Sequence, residues 1–454
     1  MGSIGGLYHV RCTRRCPLML PVLRLPVSWS VVLASVRPAF RAPGFRMFRL
    51  LATGLVAQTG RKSVVGMLAG SGMQVVVSFH AACRFFSEGT WEVDRVGLSV
   101  ARLVVDKLVP PGTPVLVAVD DTLVKRGGKK VFAALWTHDG AAAGKGAVAR
   151  GNRWVVAGIV VDLPFCSRPV CLPVLFRLWL GKGSPSPVQL AGLMIAVLAA
   201  AFPEREVHGV GDAAYHGPDL LAGASYTTRL PRNAVLYAHA PAPTGRRGRP
   251  RTKGERLGTA ADLAAASTWR AVSVRRYGRT DTVLVSDRPV LWYGSFGAVR
   301  GRIVLVRDPE HSGGRPYELA LFTTDVQAPA TVIVQRYARR WSIEPANATG
   351  KQIMGVGQAR NRTPRAVRRT VPFAFLVQSL VTVWYAEHGH HPGDALERRR
   401  HSPWYTTKEN PSFEDMIAKL RRVLIYAQIS QVAAGQDTPP QTHAYQLASE
   451  LTAA

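Results

Sequence analysis

The chain has 454 residues, enough to bury a large core, and carries a formal net charge of +29 with a sequence pI near 10.8. Hydrophobic residues make up 47% of it, which excludes a disordered basic tail protein. The excess of Lys and Arg indicates a phosphate-rich partner, most simply DNA or RNA, although a ribosomal-type or basic membrane-surface protein stays open at this level. The five cysteines are irregularly spaced and support neither a disulfide framework nor a zinc site, so we expect a cytoplasmic protein.

Residues 1–45 are expected to form an uncertain N-terminal extension outside the folded domains. An apolar stretch from Pro17 to Val36 superficially resembles a signal peptide, but Arg24 and several prolines interrupt it. Translation from a start near Met47 is one hypothesis for this segment. Elsewhere no run reaches eighteen uninterrupted apolar residues, which predicts a soluble protein without a membrane partner.

Residues 46–110 are predicted to be helical, because apolar side chains recur there at steps of three and four. Basic residues punctuate these helices. The segment is therefore either a small DNA-binding unit or a helical cap that only packs on the core.

Acidic residues follow two predicted strands in residues 111–219. The continuous apolar run Val115–Val119 ends in Asp120 and Asp121, and a second short strand that begins at Val207 ends in Asp212. Further strands are predicted at 131–137, 154–163 and 170–179, and a helix at 188–202. Because ligands collect at strand ends, these acids are candidate site residues.

Residues 220–315 are predicted to form a β-rich insertion with alternating, half-buried strands. A Gly-, Pro- and Arg-rich loop at 244–254 lies inside it. Its Arg247 and Arg249 resemble the arginines of an AT-hook, which enter a narrow minor groove. The alternative is a disordered basic loop that contacts phosphates without specificity, and either version contacts DNA.

Four polar side chains share a helical stripe in residues 316–395. Tyr337, Arg340, Glu344 and Lys351 stand at offsets of 0, 3, 7 and 14, which places them within roughly 60° of one another on an α-helix. Pro345 directly follows Glu344, so the helix is expected to break, with Ser342 as the N-cap of its second half. Residues 396–454 are predicted to form a helical C-terminal region.

Together these residues resemble the DDE transposases of bacterial insertion sequences. The resemblance rests on Asp at the ends of two strands, a β-rich insertion, and then the Tyr-Arg-Glu-Lys spacing just described. It implies a mixed α+β fold: a ribonuclease-H-like mixed sheet flanked by helices, interrupted by the insertion. By the family pattern Asp120, Asp212 and Glu344 would be the catalytic metal ligands, with Asp121 as an alternative first acid. Two Mg²⁺ ions, for which Mn²⁺ could substitute, would complete the site.

The same resemblance implies how DNA would be bound and processed. Tyr337, Arg340 and Lys351 would clamp DNA near the cut, and Lys125 and Arg126 could line the same groove. The protein would cut at terminal inverted repeats and join 3′ ends to target DNA as a homodimer. A catalytically decayed DNA-binding remnant, or another nuclease on the ribonuclease-H fold, remains an alternative.

Overall fold

The N-terminal part of the chain is helical in the computed structural model, which describes residues 25–140, 142, 146–242, 250–310, 314, 316–402, 404 and 406–433. The helices are α1 (Val27–Ala34), α2 (Ala42–Ala57), α3 (Val64–Gly70), α4 (Phe79–Ser87) and α5 (Val93–Leu108). Helices α4 and α5 each bury one apolar side and expose the other, as the periodicity of the sequence indicates, whereas α2 is buried on all sides from Leu50 to Val56.

The described part of the N-terminal segment is not an extension outside the fold. Trp29 in α1 is fully buried, and its Nε1–H donates to Thr53 Oγ1 in α2 at 3.1 Å. Ser28 accepts a hydrogen bond from the indole of Trp384, far along the chain. The expectation for residues 1–45 is therefore wrong for 25–45, because their apolar side chains bury against α2 and the C-terminal half instead of continuing as a leader.

The central sheet has the predicted mixed character. Its first strands are β1 (Val115–Lys125), β2 (Leu135–His138), β3 (Val148–Val161) and β4 (Val170–Leu178), followed by α6 (Pro187–Ala201), β5 (Val207–Gly211) and β6 (Ser225–Arg229). Strand β3 is antiparallel to β1, whereas β5 is parallel to β1 and β6 is parallel to β5. This order, with helices on its faces, is that of a ribonuclease-H-like fold and confirms the predicted fold class.

The insertion continues the same sheet. After the short pair β7 (Leu236–Tyr237) and β8 (Arg256–Gly258) and the helix α7 (Ala260–Ala265) come β9 (Arg270–Arg276), β10 (Arg279–Val290), α8 (Tyr293–Phe296), β11 (Gly301–Arg307) and β12 (Leu319–Thr323). Strand β12 pairs with β6, and β11, β10 and β9 follow in order, all antiparallel. Backbone hydrogen bonds thus join the catalytic strands to the insertion without interruption.

The C-terminal helices cover this sheet. They are α9 (Ala330–Arg340), α10 (Ile343–Gln352), α11 (Pro364–Trp384), α12 (Asp394–His401) and α13 (Phe413–Ala433), with a π-helical turn at Tyr385–Gly389. Helix α11 is almost wholly buried, and Phe375 on it stacks against Phe176 of β4. Among the described helices, none combines the length and apolarity needed to cross a bilayer.

Candidate active site

Asp120 of β1 lies beside Asp212, the residue that follows the end of β5. The two strands are parallel neighbours, with Ala118 opposite Val210. Strand β1 does not end at the two aspartates, as predicted, but continues to Lys125, because this part of it pairs with β3. Burial raises the pKa of Asp120 to about 7, and the charges of Asp121 and Asp212 add to the rise. Two carboxylates that oppose each other's ionisation in a half-buried site are an arrangement that a bound cation would relieve.

Asp121 is engaged in a different way. Its carboxylate accepts two hydrogen bonds from Arg153, from Nε at 2.7 Å and from Nη2 at 3.0 Å, and a third from the Tyr215 hydroxyl at 3.2 Å. Asp120 accepts only the backbone N–H of Asp121 among the described residues. Arg153 thus neutralises one member of the pair, and the geometry favours Asp120 as the acid left free for a metal ion.

The helix that carries the third acid breaks where the sequence predicts. Helix α9 ends at Arg340, and α10 begins at Ile343, so Glu344 and Pro345 lie in a first turn, where proline is tolerated. Ser342 occupies the N-cap position but does not cap. Its hydroxyl donates to Arg339 O at 2.8 Å, because its backbone is helical and leaves the side chain facing the preceding turn.

The carboxylate of Glu344 is paired with a cation. Arg340 Nη2 lies 2.9 Å from Glu344 Oε1, an ion pair across the helix break. The guanidinium also lies over the ring of Tyr337, with Cζ at 5.8 Å from the centroid. Tyr337 itself is only 8% exposed, so it contacts Arg340 and the core more than it offers a free face to solvent.

Lys351 lies within electrostatic range of Asp120 and Asp121. Burial lowers its pKa, and the charges of Asp139 and Asp120 act against that effect. Lys125 is exposed at the end of β1 and forms an ion pair with Asp139, with 2.7 Å between Nζ and Oδ2. Two lysines therefore accompany the aspartates, as a polyanionic substrate requires.

The burial of Arg126 argues against the predicted contact of this residue with DNA. Arg126 is 5% exposed, and its guanidinium donates to Asn152 Oδ1 at 3.1 Å and to the carbonyl of Ala359. Strand β1 ends at Lys125, which is exposed, whereas the next side chain, Arg126, is buried. Arg247 and Arg249, the predicted minor-groove arginines, lie outside the described residues.

The structure also forms a second group of polar side chains, next to β5 and β6, which the sequence did not indicate. Glu206, His208 and Asp325 are the one set of three potential metal ligands in the described chain whose ligand atoms lie within 4.8 Å of one another. Asp120, Asp212 and Glu344 do not approach so closely. His208 is fully buried between the hydroxyls of Ser225 and Thr227, at 2.6 and 2.8 Å from its ring nitrogens.

The guanidinium of Arg336 supplies a positive charge to this second group. Arg336 of α9 is ion-paired with Asp325 and lies 3.2 Å from His208 Nδ1, so the network ties α9 to the sheet. No periodicity or motif marks these residues, because Asp325 lies far along the chain from Glu206 and His208. The pairing of β5 with β6 and of β6 with β12 brings the three together.

Comparison with known families adds one finding. Residues 35–289 match the family described as DDE superfamily endonuclease, a segment that includes Asp120, Asp121 and Asp212 but ends before Glu344. No curated protein is similar enough to count as a match.

Proposed function

The chain belongs to the DDE superfamily of endonucleases, and on that premise we propose that it is a DNA transposase of a bacterial insertion sequence. It would bind terminal inverted repeats, cleave the phosphodiester bonds there and transfer the 3′-hydroxyl ends to target DNA. The observation that carries the proposal is the placement of Asp120 on β1 beside Asp212, which follows the end of the parallel strand β5. Because two DNA ends must be brought together, we also propose a homodimer on DNA, working in the cytoplasm.

The donor set fits Mg²⁺. Carboxylate oxygens are the ligands that this ion prefers, and the raised pKa of Asp120 marks a site where added positive charge is favourable. Asp120, Asp212 and Glu344 would hold two Mg²⁺ ions, or Mn²⁺ in their place. When bound, such ions activate water or a 3′-hydroxyl for in-line attack and stabilise the leaving oxygen.

The chain's own residues would do the positioning. Arg340 lies between Tyr337 and Glu344, so a DNA phosphate that takes its guanidinium would release Glu344 toward the two aspartates. Lys351 and Lys125 would hold phosphates near the acids. Arg153 would keep Asp121 from competing for the metal, since both oxygens of that carboxylate are already bound.

Strand cleavage is the test. Wild-type protein is incubated with Mg²⁺ and a duplex that carries the terminal inverted repeat from the flank of the coding region, beside Glu344→Gln. Metal-dependent nicking that disappears in Glu344→Gln supports the transposase, and the 3′ ends are then tested for joining to a second duplex. If the wild type does not nick, the proposal fails.

A decayed DNA-binding remnant is the second candidate. It is favoured by the ion pair of Glu344 with Arg340 and by the fact that Asp120, Asp212 and Glu344 do not form a close ligand cluster among the described residues. Such a protein would bind the repeat duplex and leave it intact with either Mg²⁺ or Mn²⁺.

A further inference from the structure

A surface of cationic side chains lies beside the candidate site and has no role in the cleavage proposed above. It is formed by the loop that follows β1 and by the segment that leads into α11, and we call it the basic platform. Its exposed members are Lys129, Lys130, Arg360, Arg362, Arg365 and Arg368. None of the six forms an ion pair with a carboxylate in the part of the chain that the structure describes.

The two segments of the basic platform are fixed to each other. The backbone N–H of Phe132 donates to the carbonyl of Arg362 at 3.0 Å, and the guanidinium of Arg368 lies 5.1 Å from the centroid of the Phe132 ring. Buried Arg126 joins the same segments through the carbonyl of Ala359. Although the segments are more than 200 residues apart in sequence, they form one surface.

The loop that carries Lys129 and Lys130 is also fixed by a side chain of the sheet. Arg150 of β3 donates to the carbonyl of Gly128 at 2.7 Å and to that of Lys129 at 3.0 Å. The backbone that presents Lys129 and Lys130 is therefore ordered before any partner binds. Preorganised charges lose less entropy on binding than charges on a free loop.

The basic platform borders the acids. Lys125, four residues before Lys129, is at the end of the strand that carries Asp120, and the charges of Lys125 and Asp120 both act on Lys351. On its far side the platform meets Glu92 and Asp94, but two hydrogen bonds from Arg177, at 2.7 and 2.8 Å, neutralise Asp94. Glu92 remains as an exposed carboxylate at this border, 4.0 Å from Nη2 of buried Arg369, and marks where the basic platform ends.

We propose that the basic platform binds the arm of duplex DNA that continues past the scissile phosphate, through its phosphate backbone and without reading its sequence. Arg365 and Arg368 share one face of the first turns of α11, whose own first turn holds no acidic residue and whose dipole favours an anion. Contacts of this kind set position and affinity but carry no sequence information. The inference rests on the proposed function, since it names where that function's substrate continues.

Salt-dependent binding tests it. Affinity of the full chain for a fluorescent 30-base-pair duplex of random sequence is measured by anisotropy over a range of NaCl concentrations. In Lys129→Glu/Lys130→Glu and in Arg362→Glu/Arg365→Glu, the slope of log K against log [NaCl] should shrink by about 1.8, that is ~0.9 for each lost phosphate contact. Arg362→Gln/Arg365→Gln, which adds no negative charge, should show the same loss of slope.

The matched control is Arg288→Glu/Arg300→Glu, two exposed arginines of the insertion, at the opposite end of the sheet from β2 and β3. Its slope should stay within about 0.5 of the wild type. Equal losses in the control and in the platform variants would overturn the inference, since overall charge alone would then explain binding.

Nicking of the repeat duplex is measured in parallel. If the wild type does not nick but the platform variants lose slope, the proposed function fails and the platform stands. If the wild type nicks and the slopes are unchanged, the platform fails alone.

Discussion

Arg340 and Glu344 form an ion pair of 2.9 Å across the break between α9 and α10, and the charge of Arg340 also acts on Asp120. The pairing makes metal and DNA binding interdependent, because a phosphate on Arg340 would free Glu344 for a metal ion. Such coupling is reciprocal by thermodynamic necessity.

DNA should therefore tighten metal binding. We expect the affinity of the wild type for Mn²⁺, measured by electron paramagnetic resonance, to rise about five- to tenfold when a duplex is added, within the usual range of coupling between sites. Arg340→Gln should bind Mn²⁺ more tightly than wild type without DNA, since Glu344 is already free. In Glu344→Gln the gain on adding DNA should vanish; a gain that persists there would contradict the coupling.

Asp120 and Asp121 should respond oppositely to replacement by Asn. Asp120→Asn should lower Mg²⁺-dependent nicking by at least ~10³-fold while keeping the fold, because it removes a metal ligand and a buried charge. Asp121→Asn should instead lower the free energy of unfolding by about 1.5–3 kcal/mol, because Arg153 loses a charged hydrogen-bond partner. Nicking assays and urea unfolding of both variants check this. Loss of nicking in Asp121→Asn at full stability would reverse the assignment.

Metal-free stability should fall as pH rises from about 4 to 7. The pKa of Asp120 is raised from 3.8 to about 7 in the folded state, so in this window the folded chain holds a proton that the unfolded chain has released. The stabilisation is fully present below pH 3.8 and is lost as pH rises through 7. Thermal unfolding in EDTA should show this slope, and Asp120→Asn should lack it. Adding Mg²⁺ at pH 7.5 should raise the melting temperature of the wild type only.

His208 should give the opposite pH dependence. Burial and the nearby charge of Arg336 lower the pKa of His208 from 6.5 to about 3. Between these two pH values His208 is therefore protonated in the unfolded chain but neutral in the folded chain. Its contribution is present above pH 6.5 and is lost as pH falls toward 3. The measurement uses the Asp120→Asn variant, because it lacks the opposite pH dependence of Asp120. We expect its urea midpoint to fall as the pH is lowered from 6.5 toward 3, and to fall less steeply when His208→Gln is added. An unchanged slope in the double variant would show that other groups dominate.

Gly350 should tolerate no side chain. A Cβ there would lie 2.1 Å from Cε1 of Phe375, so the glycine that weakens α10 by propensity lets α10 approach α11. Gly350→Ala should lower the free energy of unfolding by about 1–3 kcal/mol through overpacking. Gly44→Ala is the matched control, because its Cβ would lie 3.5 Å from Phe40 in a helix and meet only ordinary contact. Chemical denaturation of both variants compares them, and equal stabilities would contradict the packing argument.

Sequence patterns predicted the catalytic strands and the break at Ser342 because both depend on local chemistry. A continuous apolar run must be buried on both faces, and Pro345 must lie in a first turn. The burial of Arg126 was not predictable, since it depends on Asn152 and Ala359, which only the folded chain brings near. The N-terminal segment was misinterpreted for a similar reason: the apolar side chains that resemble a leader pack against partners as distant as Trp384.

The strands from β1 through β5, β6, β12, β11 and β10 to β9 form one continuous hydrogen-bonded sheet, which restricts how these strands can move relative to one another. Strand β12 is bonded to β6 at Thr227–Arg229, and Thr228 of β6 donates to the carbonyl of Asp212. A hinge between the insertion and the strands that carry the acids would have to rupture these bonds. Movement of the hairpin of β9 and β10 relative to Asp212 therefore requires bending of one continuous sheet and not rotation about a linker.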